Sequence, residues 1–303
     1  MLPSDLVKRL LDVARWVALA VVAAFVVRVL AGDWTEFWRA LRSIAWPWAV
    51  LSLAALVASI TVSTYGWQTV VDGLGDRVGY RRGARICLVG QLGKYVPGSV
   101  WAYLLQMELG RKAGVSRARI FTGSLVQFGI GLVAALLLSA LALPVAGPAV
   151  WLLVLLPAGL VALHPRVLAW GTGLALRLLR RDPLPRPLGF ASIARAFAAS
   201  VLAWTLQGLH LWLLAPSLNL WTCVGAMAIA MTAGTFAFLL PSGAGVREAV
   251  LVALLGTAGF SAGQALAFAL VSRVMFTVAD LLTALAATLP TRESHAQPRE
   301  SHA

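Results

Sequence analysis

"LLPSGAGVREAVLVALL" occupies residues 239–255. A Pro-Ser-Gly turn interrupts an apolar run there, and an Arg-Glu pair follows before the run resumes. In a water-soluble chain this would be a loop leading into an ordinary helix. Inside a bilayer it is a broken helix carrying two charges. Composition decides between the two settings. Of 303 residues, 60% are hydrophobic and 12% charged, against about 25% charged in an ordinary globular domain, and the mean hydropathy is +0.83. Such a chain lacks the polar surface to face water, so most of its exterior meets lipid. Its apolar runs are about 20 residues long and do not alternate, which excludes a membrane β-barrel. The expected fold is all-α, a polytopic helical membrane protein of about seven to eight spans with one or two broken or re-entrant segments. One domain covers 1–290, and the polar tail at 291–303, with its repeated RESHA, reads as disordered.

Apolar runs place spans near 14–31, 47–70, 120–143, 149–163, 196–215, 221–240 and 263–289. Lys8, Arg9 and Arg15 before the first run mimic a signal peptide. The run is long for one and lacks a clean cleavage site, so it reads as a retained span. The formal net charge of +13 comes from short basic clusters between spans rather than from one basic domain. That is a topology signal and argues against nucleic acid. Segments 1–15, 72–85, 108–119 and 164–195 hold seventeen basic residues, whereas 32–46, 144–148 and 216–220 hold two. The positive-inside rule then puts the N-terminus in the cytoplasm.

The same count bears on "ICLVGQLGKYVPGSVWAYLLQ" at 86–106. A full crossing would carry Arg111, Lys112, Arg117 and Arg119 outside. They stay inside if the stretch enters and returns, and Gln91, Lys94 and the Pro97-Gly98 break suit a hairpin shielded by protein. Residues 221–260 repeat this grammar, either as a hairpin entered from outside or as a full span followed by a short one. Both put the C-terminus in the cytoplasm, the expectation here, whereas a hairpin entered from the cytoplasm would put it outside. Two Gly/Pro-interrupted segments, one per half, are the sequence pattern of a transporter-type binding site. Ala226, Ala230 and Gly234 form a small-residue face for close helix packing. The 164–195 loop begins with a short interfacial helix in which leucines oppose arginines.

A charge at the bilayer centre costs about 2.5–3.5 kcal/mol on insertion scales, so Lys94, Arg247, Glu248, Arg273 and Asp280 need partners. Arg247 and Glu248 admit two readings. In one they are structural, with Glu248 paired to Arg273. In the other Arg247 faces a cavity and holds an anion while Glu248 orients it. Lys94 either snorkels to loose carbonyls or joins the helix start at Pro97, Gly98 and Ser99 in holding a phosphate. Ser242, Gly243 and Gly245 ahead of Arg247 offer that chemistry a second time. Arg273 and Asp280, seven apart on one helix face, and Gln91 would form a supporting polar network. Gln127, Gln207 and His210 are candidates to line the same cavity, although a lone histidine is more often a hydrogen-bonded packing residue. Cys87 and Cys223 lack metal-ligand company, so no metal or cofactor is expected. No nucleophile–base pair points to an enzyme.

The segments "GQLGKYVPGSVW" (90–101), "PSGAGVREA" (241–249) and "SRVMFTVADLL" (272–282) resemble the motifs of the lysylphosphatidylglycerol synthase transmembrane-region, or flippase-like, family. The resemblance runs from the second span to the last. The family's second motif reads Pro-Gly-Gly-x-Gly-x-x-Glu. Pro241, Gly243, Gly245 and Glu248 match it, and Ser242 replaces the first glycine. The resemblance implies a module that moves an aminoacylated phospholipid to the outer leaflet. A separate cytosolic domain makes that lipid, and none is expected after Leu289, so synthase activity is not implied. The expectation is a bacterial-type inner-membrane lipid translocase whose cargo is a phospholipid or a polyprenyl-phosphate-linked lipid. The alternative is a non-transporting scaffold for a cell-envelope enzyme such as a glycosyltransferase.

Overall fold

The computed structural model describes residues 4–96, 100–142, 150–178, 184–237 and 240–289, and among these every regular element is helical. The expected tail at 291–303 lies outside the described residues. Helix α1 (Ser4–Ser43) is broken at Asp33, whose backbone leaves the helical region. It is followed by α2 (Trp46–Gly73), which starts with a proline in its first turn, where the missing N–H costs no helical bond. The remaining long helices are α5 (Arg117–Ala142), α8 (Phe190–Leu214) and α11 (Ala262–Thr288). With α2, these three are long and apolar enough to cross a membrane. The expected span at 149–163 is the 13-residue α6 (Val150–Ala162), about 20 Å long. A short turn joins it to α7 (Pro165–Leu178), the helix expected at the interface.

Hydrophobicity cannot draw helices together in lipid, so close backbone approach must do it. Helices α2 and α8 run antiparallel. Ser52 lies beside His210, Ser59 Oγ donates to the Ala203 carbonyl, and a methyl on Gly73 would overlap Leu188 and Ser192. Helix α5 joins them through Gly123, which seats Val71, and through Trp67 Nε1–H, which donates to Ser124 Oγ at 2.9 Å. Ser124 in turn donates to Gln106 at 2.7 Å. Arg119 donates to the Val71 carbonyl at 2.9 Å and to the carbonyl of Asp76, closing the end of α2.

Two pairs of short helices fit into this frame. The first is α3 (Tyr80–Gln91), a 3-10 turn at Leu92–Tyr95, and α4 (Trp101–Lys112). Each helix has 12 residues, about 18 Å, and neither reaches across a hydrocarbon core of about 30 Å. They fold back on each other because Gly90 and Gly93 bring α3 and its turn against Gln106, Trp101 and Ala102. The base of this hairpin meets the end of α2 and the start of α5, through Gly83 on Gln68 and Gly110 on Ile120. The second pair is α9 (Leu220–Phe236), a 3-10 turn at Pro241–Gly243, and α10 (Val246–Thr257). Its base follows the opposite end of α8 and leads into α11. Ala226, Ala230 and Gly234 are all buried, as expected of that face. The two hairpins therefore enter the bundle from opposite ends, and their 3-10 turns touch. Of the two sequence readings of 221–260, the structure has the hairpin.

Helix α11 runs past both tips. Its start is fixed by Ser261, which caps the Gln264 amide, and by the broken first helix. Asp33 Oδ2 accepts from the Gly263 amide at 3.0 Å, and Glu36 accepts from Gln264 at 3.0 Å.

Helix α8 lies very close on α9, where a Cβ on Gly208 would lie 2.3 Å from a Val224 methyl and 2.5 Å from its Cα. Because backbone opposes it, Gly208→Ala is expected to destabilise the bundle by about 1–3 kcal/mol. Thermal unfolding in detergent micelles checks this.

Candidate functional site at the hairpin tips

The tip of the second hairpin is shaped by three demands on the backbone within four residues. Ser242, Gly243 and Gly245 all have positive φ, at 49°, 64° and 85°. At Gly243 a side chain is also excluded by space, since a Cβ would come within 2.3 Å of the Gly234 carbonyl oxygen. Gly245 caps α10, and Glu248 turns back so that Oε2 accepts from the Gly245 amide at 2.6 Å. The carboxylate thus occupies the positive end of this helix, where an anion is favoured. Its other oxygen accepts from Arg273 Nη1 of α11 at 2.8 Å, and Arg273 also donates to the Pro241 carbonyl at 3.3 Å. Arg273 therefore clamps the turn from both sides.

Seven residues further along α11, about 10 Å, Asp280 receives the other hairpin. Lys94 Nζ lies 2.7 Å from Asp280 Oδ2, and Tyr95 donates its hydroxyl to the same oxygen at 2.6 Å. Lys94 also sits over the Tyr95 ring at 5.5 Å. Gln91, the last residue of α3, is exposed. Pro97, Gly98 and Ser99, where a phosphate-binding helix start is expected, lie outside the described residues.

Arg247 pairs with neither carboxylate. It is 5% exposed, its guanidinium carbon stacks 4.3 Å from the centre of the Phe276 ring, and Nη2 donates to Ser272 Oγ at 2.7 Å. Its Nε is buried without a hydrogen-bond partner. Glu248 thus makes the Arg273 pair of the structural reading and does not orient its neighbour.

Beyond Ser272 the polar chain continues inward. Ser272 Oγ is 2.9 Å from His210 Nε2, His210 Nδ1 is 2.6 Å from Ser52 Oγ, and Ser52 Oγ lies 3.0 Å from the His210 carbonyl. One assignment of protons satisfies these contacts. Arg247 donates to Ser272, Ser272 donates to Nε2, Nδ1–H donates to Ser52, and Ser52 donates to the carbonyl. His210 is then a neutral, fully buried packing residue that aims the Ser272 lone pair at Arg247. Gln127 and Gln207 lie instead between α5, α8 and α2, bonded to Ser200 and Ser59.

Sequence reasoning missed Tyr95, Ser272 and Phe276. Tyr95 adjoins Lys94, and Ser272 and Phe276 are four apart on the same helix as Arg273, so helical spacing from the charged positions would have found them. Among the described residues, no group of histidines, cysteines and carboxylates could hold a metal.

Three outcomes follow from the bonding. Ser242→Gly should stabilise the protein by about 1 kcal/mol, because a non-glycine residue in left-handed backbone carries that cost. Glu248→Gln should destabilise it by about 3 kcal/mol by stranding Arg273. Arg247→Met should change stability by less than about 1 kcal/mol, because it removes a buried charge that lacks a counter-charge and keeps packing on Phe276. Unfolding midpoints of the purified variants in one detergent test all three.

Residues 15–283 match the family model described as "Lysylphosphatidylglycerol synthase TM region", a segment that holds both hairpins and all five charges of the cluster. The chain is also similar to "Inner membrane protein YbhN" of Escherichia coli (strain K12), at 27% identity over 285 residues, 88% of this chain and 87% of that protein. The motif positions identified in the sequence have structural reasons here: positive φ at Ser242, Gly243 and Gly245, and ion pairs at Glu248, Arg273 and Asp280. The chain belongs to the lysylphosphatidylglycerol synthase TM region family.

Proposed function

We propose that this protein is a lipid translocase of a bacterial-type inner membrane and that Arg247 receives the phosphate of the lipid headgroup. The observation that carries the reading is the charge balance at the hairpin tips. Lys94, Arg247 and Arg273 supply three positive charges, and Glu248 and Asp280 supply two negative ones. Both carboxylates are committed, to Arg273 and to Lys94. Arg247 is left buried with a partnerless Nε, and a bound phosphate would neutralise it with charge-assisted bonds. The arrangement of the hairpins supports movement as well as binding. A site where two hairpins from opposite ends meet opens to either leaflet by displacement of one tip at a time.

The basic clusters orient the protein with its N- and C-termini in the cytoplasm and the first hairpin entering from that side. The second enters from outside. Lys94, with 30% of its side chain exposed, meets the headgroup first and hands it on to Arg247. The helix start at Gly245 flanks this path. The relative from Escherichia coli, described as an inner membrane protein, supports the location. The activity involves binding and movement without cleavage of the lipid.

Reconstitution in liposomes tests the proposal, with fluorescent phosphatidylglycerol and a fluorescent polyprenyl phosphate as separate probes. Wild type should move one of them between leaflets. Arg247→Met should slow that movement at least tenfold, the equivalent of losing one charge-assisted bond of about 1.5–3 kcal/mol, while its unfolding midpoint stays near that of wild type. Equal rates in wild type and Arg247→Met would overturn the role of Arg247. Immobility of both probes would favour a scaffold that partners a membrane-bound envelope enzyme.

A further inference from the structure

An apolar groove lies away from the charged tips. It runs along α5, between that helix and the peripheral pair α6 and α7. Its inner part, ≈ 510 Å³, follows a single stripe of α5 from Leu125 through Gly129 to Leu136 and is walled by Leu155 and Gly159 of α6. That stripe is about 16 Å long. The outer part, ≈ 390 Å³, lies at the end of the bundle where α2 stops, and Arg177 and Arg186 are in its lining. Val126 and Leu168 border both parts, so the two adjoin along one slot between the helices. It is carbon-lined along its length and cationic at its mouth.

Three details make this a seat for a ligand rather than loose packing. A Cβ built on Gly129 or Gly173 meets nothing within 4 Å, so the protein leaves that space open at two levels of the slot. The arginines are free to take a new partner. Among the described residues, Arg186 has only a 3.4 Å contact with Asp76, both side chains being mostly exposed, and such a pair contributes little. Arg177 is exposed. Guanidinium groups match the oxygens of a phosphate, and the slot below them suits a hydrocarbon chain and little else.

We propose that this groove binds one anionic phospholipid, with an acyl chain along α5 and the phosphate at Arg177 and Arg186, at a site separate from Arg247. It would fasten the peripheral pair α6–α7 to the bundle. Native mass spectrometry of the full chain, purified in detergent and offered equal amounts of phosphatidylglycerol and phosphatidylcholine, tests this. Wild type should retain phosphatidylglycerol in preference. Gly129→Leu, whose Cβ would meet no neighbour within 4 Å and whose side chain would occupy the slot, should lose one bound lipid per chain. The double variant Arg177→Gln/Arg186→Gln should lose the preference for phosphatidylglycerol at that site, by about tenfold or more. Unchanged lipid number and preference in both variants would overturn the proposal. Loss in Gly129→Leu alone would overturn the headgroup seat, and loss in the arginine variant alone would overturn the acyl slot.

Discussion

A charge placed between helices in a bilayer must find a counter-charge or a strong donor set, because no water is there to relieve it. In this protein that requirement is met on one helix face. Arg273 and Asp280 of α11 each hold a carboxylate or an ammonium from a different hairpin. The long helices α2, α5 and α8 form the frame, but the position of the hairpin tips depends on these two ion pairs. Without them, two interrupted backbone segments at membrane depth would keep only the neutral and single-donor contacts of Tyr95, Arg247 and Arg273 to hold their ends. Irregular backbone survives there only when protein encloses it.

Glycine makes the enclosure possible. At Gly243 the turn lies so close to Gly234 that no side chain fits, and at Gly90 and Gly93 the first hairpin closes in the same way. These positions let a tip penetrate a bundle that is otherwise filled by side chains. Ser242 departs from the pattern, since its φ of 49° suits glycine better than serine. The fold tolerates it because the Arg273 contacts at Pro241 and Glu248 hold the turn on both sides.

The fold class was legible in composition, and the main breaks were legible as Pro-Gly and Pro-Ser-Gly interruptions of apolar runs. The re-entrant geometry of 86–106 came from counting charges on each side rather than from the stretch itself. The pairing of Glu248 with Arg273 was visible as one of two readings. Sequence could not choose between them, since the choice turns on how α10 rotates about its axis relative to α11. The partner of Lys94 was out of reach for another reason. Asp280 lies 186 residues away, and only the three-dimensional meeting of two hairpins brings them together. Ser272 and His210 were hidden because hydroxyl and imidazole groups on apolar helices look alike whether or not they belong to one chain of hydrogen bonds.

The break in the first helix has an effect far from where it occurs. Asp33 and Glu36 hold the first residues of α11, and the close approach of Gly263 to the Asp33 backbone leaves no slack. Helix α11 is therefore anchored at one end, like a rod set in a socket, with the two ion pairs spaced along its length. Sliding it would cost the anchor, whereas turning or tilting it about that end would not. Any movement of α11 itself is thus an arc that swings Asp280 farther than Arg273. The pair that holds the first hairpin therefore lies farther from the fixed end than the pair that holds the second.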